Sequence, residues 1–269
     1  MLGRVTSNQA LGEGWHLLEV EAPRIARQVR AGQFVQVRIG NSEDPLIRRP
    51  FSVYDLIPQP GPGARSLQLL YLVVGTGTRW MAHLHAEDPV DLLGPLGKPM
   101  PRPELSQDGE LFLIGGGIGV APLYLYCREL RGDGSRIKHR VLLGARRAAL
   151  LVALEAFHQL EVSTYCATDD GSAGYSGNVV ELLNSQISGR EPTQVAGIGC
   201  GPHDMNVALR NYAVTHQLPF WISLENYMPC GFGACFGCVI PAAEGAPQRY
   251  RRVCLEGPCF PARELPAEF

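Results

Sequence analysis

"ELFLIGGGIGVAPLYLYCREL" occupies residues 110–130. It opens with a short apolar run bounded by glycines, the pattern of a fully buried strand. A helical stretch follows, with Pro122 in its first turn, where the missing N–H costs nothing. Strand, tight glycine turn and helix form the unit of a parallel sheet covered by helices. The cycle recurs downstream: "KHRVLLGA" (138–145), "LVALEAFHQL" (151–160), "EVSTYCA" (161–167), "NVVELLNSQ" (178–186), "TQVAGIG" (193–199), "HDMNVALRNYAVTH" (203–216) and "FWISLE" (220–225). In such a sheet ligands bind at the carboxyl ends of the strands. Gly115, Gly116, Gly117, Gly119 and Pro122 stand at one such end, and Cys200, Gly201 and Pro202 at another. Val120 occupies the third glycine position of G-x-G-x-x-G, so the glycines also read as a plain tight turn. Cys200 is either a small buried hydrophobe or a thiol facing a hydride-transfer site. Arg146 and Arg147 follow the second strand, where they meet a 2′-phosphate or face solvent.

The chain before this region has a different texture. Stretches 15–21, 34–38, 49–54 and 67–74 are rich in β-branched, aromatic and aliphatic residues and are separated by turn formers. "PQPGPGA" (58–64) is a loop by composition, and "TRWMAHLH" (78–85) is the one helical segment. The expectation is an antiparallel Greek-key barrel. In "RRPFS" (48–52), alternation places Arg49 and Phe51 on one face of a strand, Pro50 and Ser52 on the other. A flavin dinucleotide needs a cation, a flat apolar wall and a hydroxyl, which Arg49, Phe51 and Ser52 offer, although an arginine on a strand is usually just a solvated face. In "GTGT" (75–78), Thr78 is placed to cap the helix.

The last stretch is cysteine-, proline- and glycine-rich and too small for its own core, so it needs a staple. Cys230, Cys235, Cys238 and Cys254 follow C-x4-C-x2-C…C, the plant-type 2Fe–2S spacing. Glycines between the thiols permit the positive φ and close approach that wrapping a cluster requires. A zinc site is the alternative, though zinc sites favour separated cysteine pairs. Cys259 is a substitute candidate for the fourth ligand. This divides the chain into 1–103, 104–224 and 225–269.

The 269 residues carry a net charge of -2, which gives no footprint for nucleic acid. The longest uncharged stretch, 111–127, is interrupted by four glycines and a proline, so no membrane span is expected. No apolar segment opens the chain, and a cytoplasmic location is expected. Eight cysteines in that setting point to a metal or reactive thiols rather than a disulfide framework.

Taken in order, "RRPFS", "GTGT", "LLGPLG", "IGGGIGVAP", "TDDGSAGYSG", "CGPHDM", "SLENYMPCGFGACFGC" and "RVCLEGPCF" resemble the electron-transfer subunits of class B dihydroorotate dehydrogenases, in the ferredoxin-reductase superfamily. The resemblance spans nearly the whole chain. It implies an FAD-binding barrel, a nicotinamide-binding α/β domain and a small 2Fe–2S domain. It assigns FAD contacts to Arg49, Pro50, Phe51, Ser52, Leu70, Tyr71, Leu72, Gly77 and Thr78. Gly115 to Pro122 and Cys200 to Pro202 would frame NAD, and the four cysteines would hold the cluster. Ser52 and Cys200 would lie nearest the hydride transfer, with no general acid or base required. The family often carries a basic residue where this chain has Leu72, and Cys259 is additional. The implied partner is an FMN-bearing catalytic subunit oxidising dihydroorotate in pyrimidine biosynthesis, in a heterotetramer of two copies of each. A sulfide dehydrogenase, ferredoxin:NADP reductase or hydrogenase subunit carries nearly the same motifs. A zinc-stapled binding or redox-sensing protein on this scaffold is the non-enzymatic alternative.

Overall fold

A computed structural model describes residues 1–40, 47–58, 64–132, 134, 137–246 and 248–269. The loop expected at 58–64 lies mostly outside these residues. The amino-terminal strands are β1 (Leu2–Gly12), β2 (Trp15–Glu21), β3 (Phe34–Val37), β4 (Arg49–Ser52), β5 (Asp55–Pro58), β6 (Ala64–Leu72) and β7 (Pro89–Leu96). Their antiparallel order is β4-β3-β7-β1-β2-β6-β5. The strands at the two ends of this order are consecutive in the chain. Val53 and Tyr54, which join them, donate to Gln33 O (3.4 Å) and Gln68 O (2.8 Å) and so curl the sheet into a barrel. Three strands were not anticipated. β1 is mostly exposed, because only alternate residues near its start reach the core, and its apolar pattern is correspondingly diluted. The short β5 and the glycine- and proline-containing β7 lack a long β-branched run.

The second sheet contains β8 (Glu110–Gly116), β9 (Lys138–Ala145), β10 (Ser163–Thr168), β11 (Tyr175–Ser176), β12 (Val195–Cys200) and β13 (Phe220–Ser223), all parallel, ordered β11-β10-β9-β8-β12-β13. Near-continuous burial of β8 and β12 follows from coverage on both faces. Chain order reverses at β8, which has β9 on one side and β12 on the other, so the crevice opens between β8 and β12. The helices include α1 (Pro23–Ala26) and α2 (Thr76–Ala82) beside the barrel, then α3 (Val120–Gly132), α4 (Leu154–Gln159), α5 (Val179–Ile187) and α6 (His203–Thr215). Asn178 caps α5 by accepting from Val180 and Glu181 N–H at 3.0 Å. Thr78 is not the N-cap of α2. Gly75 holds that position, and the Thr78 hydroxyl reaches back to accept from Gly75 N–H at 3.1 Å.

After α6 and β13 the chain forms a cysteine loop, a hairpin of β14 (Val239–Pro241) and β15 (Tyr250–Arg252), the short α7 (Val253–Glu256), and β16 (Cys259–Pro261). β16 adds to the parallel sheet as an antiparallel edge, with Ser223 opposite Cys259. Phe260, Ala262 and Leu265 are buried with Phe112, Ile114 and Phe220. A staple is therefore not the sole restraint on this segment, because its tail shares the core of the α/β sheet.

Barrel and sheet meet through α3. Arg128 forms a hydrogen-bonded ion pair with Asp55 and donates to Leu56 O at 3.1 Å. Tyr124 stacks on Tyr54 at 4.4 Å, and Tyr126 donates to Pro101 O at 2.6 Å. Burial raises the Asp55 carboxyl above its usual range even though Arg128 and the Leu56 N–H pull it down. Arg128→Met leaves a buried carboxyl without its counter-charge and should cost about 3 kcal/mol at neutral pH. The unpaired carboxyl rises further, so it binds a proton in the folded state at a pH where the unfolded chain has lost it. The deficit should accordingly shrink as pH falls toward that raised value. Thermal unfolding of both proteins at pH 5 and 7.5 checks both magnitude and direction.

Candidate functional site

A cavity of about 1040 Å³ lies between the barrel and the carboxyl ends of the parallel strands. The barrel contributes Pro50, Phe51, Ser52, Leu70, Tyr71, Leu72 and Thr78 to its wall. The sheet contributes Gly116, Gly117, Gly119, Pro122, Cys200 and Pro202. Most residues singled out for flavin and nicotinamide thus converge on one space, with four exceptions. Arg49 is turned back, donating to Ile47 O at 2.7 Å. Gly77 packs on the barrel, where a Cβ would lie 3.2 Å from Ile39. Gly115 sits behind the wall against Leu123 and Val120, and Gly201 against Met205. The expected division of β4 into two faces does not hold at the cavity. Because β4 is a terminal strand, Pro50, Phe51 and Ser52 all reach it.

Two groups form the walls. Phe51 meets Tyr71 edge-on at 6.2 Å, and His16 stacks on Tyr71 at 5.3 Å, so the half-buried Phe51 ring at the cavity wall is backed by the buried Tyr71. On the sheet side the glycine turn crosses the end of β12. A Cβ at Gly119 would fall 2.1 Å from Cys200 O, so no larger residue fits the crossing. At Gly116 it would fall 2.5 Å from Met205 Sδ. Burial, the nearby Glu225 and a weaker opposing Ser223 hydrogen bond leave the Cys200 thiol pushed up to about 12, so it stays neutral. Glu225, on the wall, is also raised by burial. Of the two strand-end arginines, Arg146 lines the cavity, whereas Arg147 pairs with Glu13 at 2.6 Å.

Sequence reasoning missed Trp15, Asp169, Glu225 and Met228 on the wall. The signal for Glu225 was present. A charged residue directly after an apolar strand lies at the binding edge of a parallel sheet.

The cysteine loop adjoins this wall through Met228. Its thiols come together two by two. Cys238 Sγ lies 3.2 Å from Cys254 Sγ, and the Cys235 thiol hydrogen-bonds Cys230. Among the described residues no three His, Cys, Asp or Glu side chains converge on a single metal ion. Two thiolate pairs, one for each of two irons, are the donor set of a 2Fe–2S cluster. Backbone amides point at the sulfurs: Gly237 N–H at Cys235 and Cys254 N–H at Cys238, each at 3.4 Å. Burial raises the Cys230 thiol, but N–H groups of Cys235, Phe232 and Ala234 outweigh it and draw it down to about 6. Cys254, buried beside Cys238, is pushed up to about 12. Gly231 and Gly233 have φ of 78° and 86°, the conformation that turns these amides inward. Cys259 is half-buried in β16, opposite Ser223 of β13.

Residues 225–266 match the family model described as the iron-sulfur cluster binding domain of dihydroorotate dehydrogenase B. The dihydroorotate dehydrogenase B (NAD(+)) electron transfer subunit of Desulforamulus reducens is 35% identical over 250 residues, 93% of this chain and 92% of that protein. Its counterpart from Geobacillus thermodenitrificans is 35% identical over 98% of this chain and 99% of that one. This chain belongs to the dihydroorotate dehydrogenase B electron-transfer subunit family. Among solved structures, a NADH-dependent reduced ferredoxin-NADP oxidoreductase superposes with a TM-score of 0.83 and 26% identity, covering 99% of this chain and 90% of that one. A ferredoxin NADP+ reductase from Neisseria gonorrhoeae, with a TM-score of 0.65 and 18% identity over 85% of this chain and 95% of that one, shares the fold. Barrel, parallel sheet and carboxyl-terminal iron–sulfur segment are the ferredoxin-reductase arrangement.

In a dihydroorotate dehydrogenase B electron-transfer subunit the paired thiols have a direct test. Cys235→Ala should remove one sulfur of the outer pair, abolish the cluster and leave flavin bound to the barrel. Iron, sulfide and flavin analysis checks this, and full iron in the variant would refute the ligand assignment.

Proposed function

We propose that this chain passes electrons between an FMN-bearing dihydroorotate dehydrogenase catalytic subunit and NAD, through its own 2Fe–2S cluster and FAD, in pyrimidine biosynthesis. The observation that carries it is one cavity walled by barrel and sheet, with the paired thiols just beyond Met228. When bound, a nicotinamide exchanges electrons in pairs, a flavin also passes them singly, and a 2Fe–2S cluster takes one at a time.

The chain's own residues bind and orient. The aromatic surface of Phe51 and Tyr71, with Pro50, Ser52, Leu70 and Leu72, would hold the flavin. Gly77 and Thr78 would admit its phosphates close to the backbone, and Arg49 would turn from the Ile47 carbonyl to serve as their cation. Gly115, Gly116, Gly117, Gly119 and Pro122 would let the nicotinamide dinucleotide approach α3. Cys200, Gly201 and Pro202 would support its ring. Ser52 and Cys200 stand nearest the hydride path, and the neutral Cys200 thiol adds no charge there. Cys230, Cys235, Cys238 and Cys254 would hold the cluster, with their inward amides offsetting its negative charge. We assign the flavin, nicotinamide and cluster domains to 1–103, 104–224 and 225–269; the two large sheets support the first two, and the third adds β16 to the second sheet.

The family name denotes one subunit of a larger enzyme. Phe232, Phe236 and Leu255 are exposed around the equally exposed Cys235, an apolar rim that suits protein contact. We place the complex, two copies of each subunit, in the cytoplasm. No helix among the described residues is long and apolar enough to cross a membrane. The overlay on the ferredoxin-NADP oxidoreductase favours a second reading, a paralogous flavin and iron–sulfur subunit with another partner. Co-purification separates the two, because only the first brings down a dihydroorotate dehydrogenase.

Anaerobic NADH should bleach both flavin and cluster bands of the isolated protein, which should hold one FAD and two irons per chain and should not oxidise dihydroorotate alone. Zinc in place of iron, or no reduction, would refute the assignment. Arg49→Ala should weaken FAD binding by roughly 1.5–3 kcal/mol, the loss of a charged hydrogen bond. FAD retention through dialysis reports it, and unchanged retention removes Arg49 from the site.

A further inference from the structure

Gln36 is completely buried in β3. It lies opposite Pro50, which lines the cavity, and is flanked on its other side by Leu93. Its Nε2 donates to Met228 O at 2.6 Å, joining positions 192 residues apart. A carbonyl oxygen only accepts, so the amide nitrogen must face it. Met228 itself lines the cavity, and only Pro229 separates it from the first thiol, Cys230. This bond therefore clamps the shortest covalent link between cavity wall and cysteine loop.

The loop is also seated directly on the Gln36 side chain. A Cβ at Gly231 would fall 2.8 Å from both Cγ and Nε2 of Gln36 and 3.0 Å from Leu96 Cδ1. Gly231, with φ of 78°, is the residue between Cys230 and the amides that face its sulfur. Gln36 Oε1, by contrast, is buried with no hydrogen-bond partner among the described residues. A buried amide with a bare oxygen costs stability that leucine or methionine would not cost. What the amide supplies and an apolar side chain cannot is direction, a fixed point for Met228 O.

Resting on the function proposed above, we infer that Gln36 is a positioning residue that sets the cysteine loop, and with it the cluster, against the flavin cavity. It acts through the Met228 carbonyl and the Gly231 seat.

The test uses the full-length protein loaded with flavin and iron, and two variants. Gln36→Met keeps the length and removes the donor. Gln36→His restores a ring nitrogen at similar reach. Stopped-flow absorbance after mixing with NADH follows flavin and cluster bands separately, and low-temperature EPR reads the reduced cluster. In Gln36→Met the flavin band should bleach at the wild-type rate, while cluster reduction slows about tenfold, the lower end for loss of an outer hydrogen bond to a metal site. Its EPR g-values should shift. Gln36→His should return both toward wild type. Should Gln36→Met lose its iron, retention of iron with a wild-type spectrum in Gln36→His carries the same conclusion. A loaded Gln36→Met with wild-type cluster reduction and EPR overturns the inference alone, as does a Gln36→His no better than Gln36→Met. Wild-type protein that takes up neither flavin nor iron overturns the function beneath it as well.

Discussion

The structure depends on a crossing of two backbones. The turn after β8 passes so close to the end of β12 that a Cβ at Gly119 would lie 2.1 Å from Cys200 O. Backbone that close cannot move aside for a side chain as a flexible chain end would. The crossing fixes where the amides at the start of α3 point and where the end of β12 stops. It also opens the crevice between β8 and β12 at the strand-order reversal. The barrel must then be held over that crevice, which the face of α3 does through Arg128, Tyr124 and Tyr126. One helix thus presents its amino end to the site and its flank to the barrel.

Electrostatics divides the site into two regimes. On the cavity wall at Cys200 and Glu225, burial keeps the thiol neutral and raises the carboxyl, so charge is disfavoured at those two side chains. In the cysteine loop, a few residues away, inward amides overcome burial at Cys230 and favour its thiolate. The difference is made by backbone conformation rather than by basic side chains. Glycines at positive φ aim N–H groups that carry no net charge and need no counter-ion.

Legibility in the sequence followed locality. The parallel sheet could be read because each strand is a short apolar run with a helix beside it, and "KHRVLLGA" coincides with β9. The cysteine spacing could be read because four ligands to one group leave a fixed interval. Half-polar β1 could not, since its partners lie on either side in space and its pattern is diluted by exposure. The same limit hid β16, whose three residues are a strand only because Trp221 to Ser223 lie alongside. Arg49 shows the limit at the site. Its guanidinium is turned back by the carbonyl of Ile47, only two residues away, but a backbone carbonyl has no side-chain pattern that would announce it. Gln36 lay inside a segment read as a strand, yet nothing near it in the chain indicates Met228.

The cysteine segment is tied to the cavity at both ends. Ahead of Cys230, Met228 lines the wall and Gln36 holds its carbonyl. Beyond Cys254, Pro258 lines the same wall, and its carbonyl accepts from Leu224 N–H at 2.9 Å. The barrel reaches this second tie as well. Lys98 N–H donates to Gly257 O at 2.7 Å, and a Cβ at Gly97 would lie 3.1 Å from Pro258 Cδ. That contact gives the glycine that ends "LLGPLG" a physical reason, since a side chain at Gly97 would strike Pro258, whereas the glycine of "LEGPC" makes room for Phe260 within its own segment. The first tie joins barrel and cysteine loop, and the second joins both to the end of the parallel sheet. A segment with little core of its own is thereby held at a set distance from a cavity built by two other units, as a carrier that hands on single electrons requires.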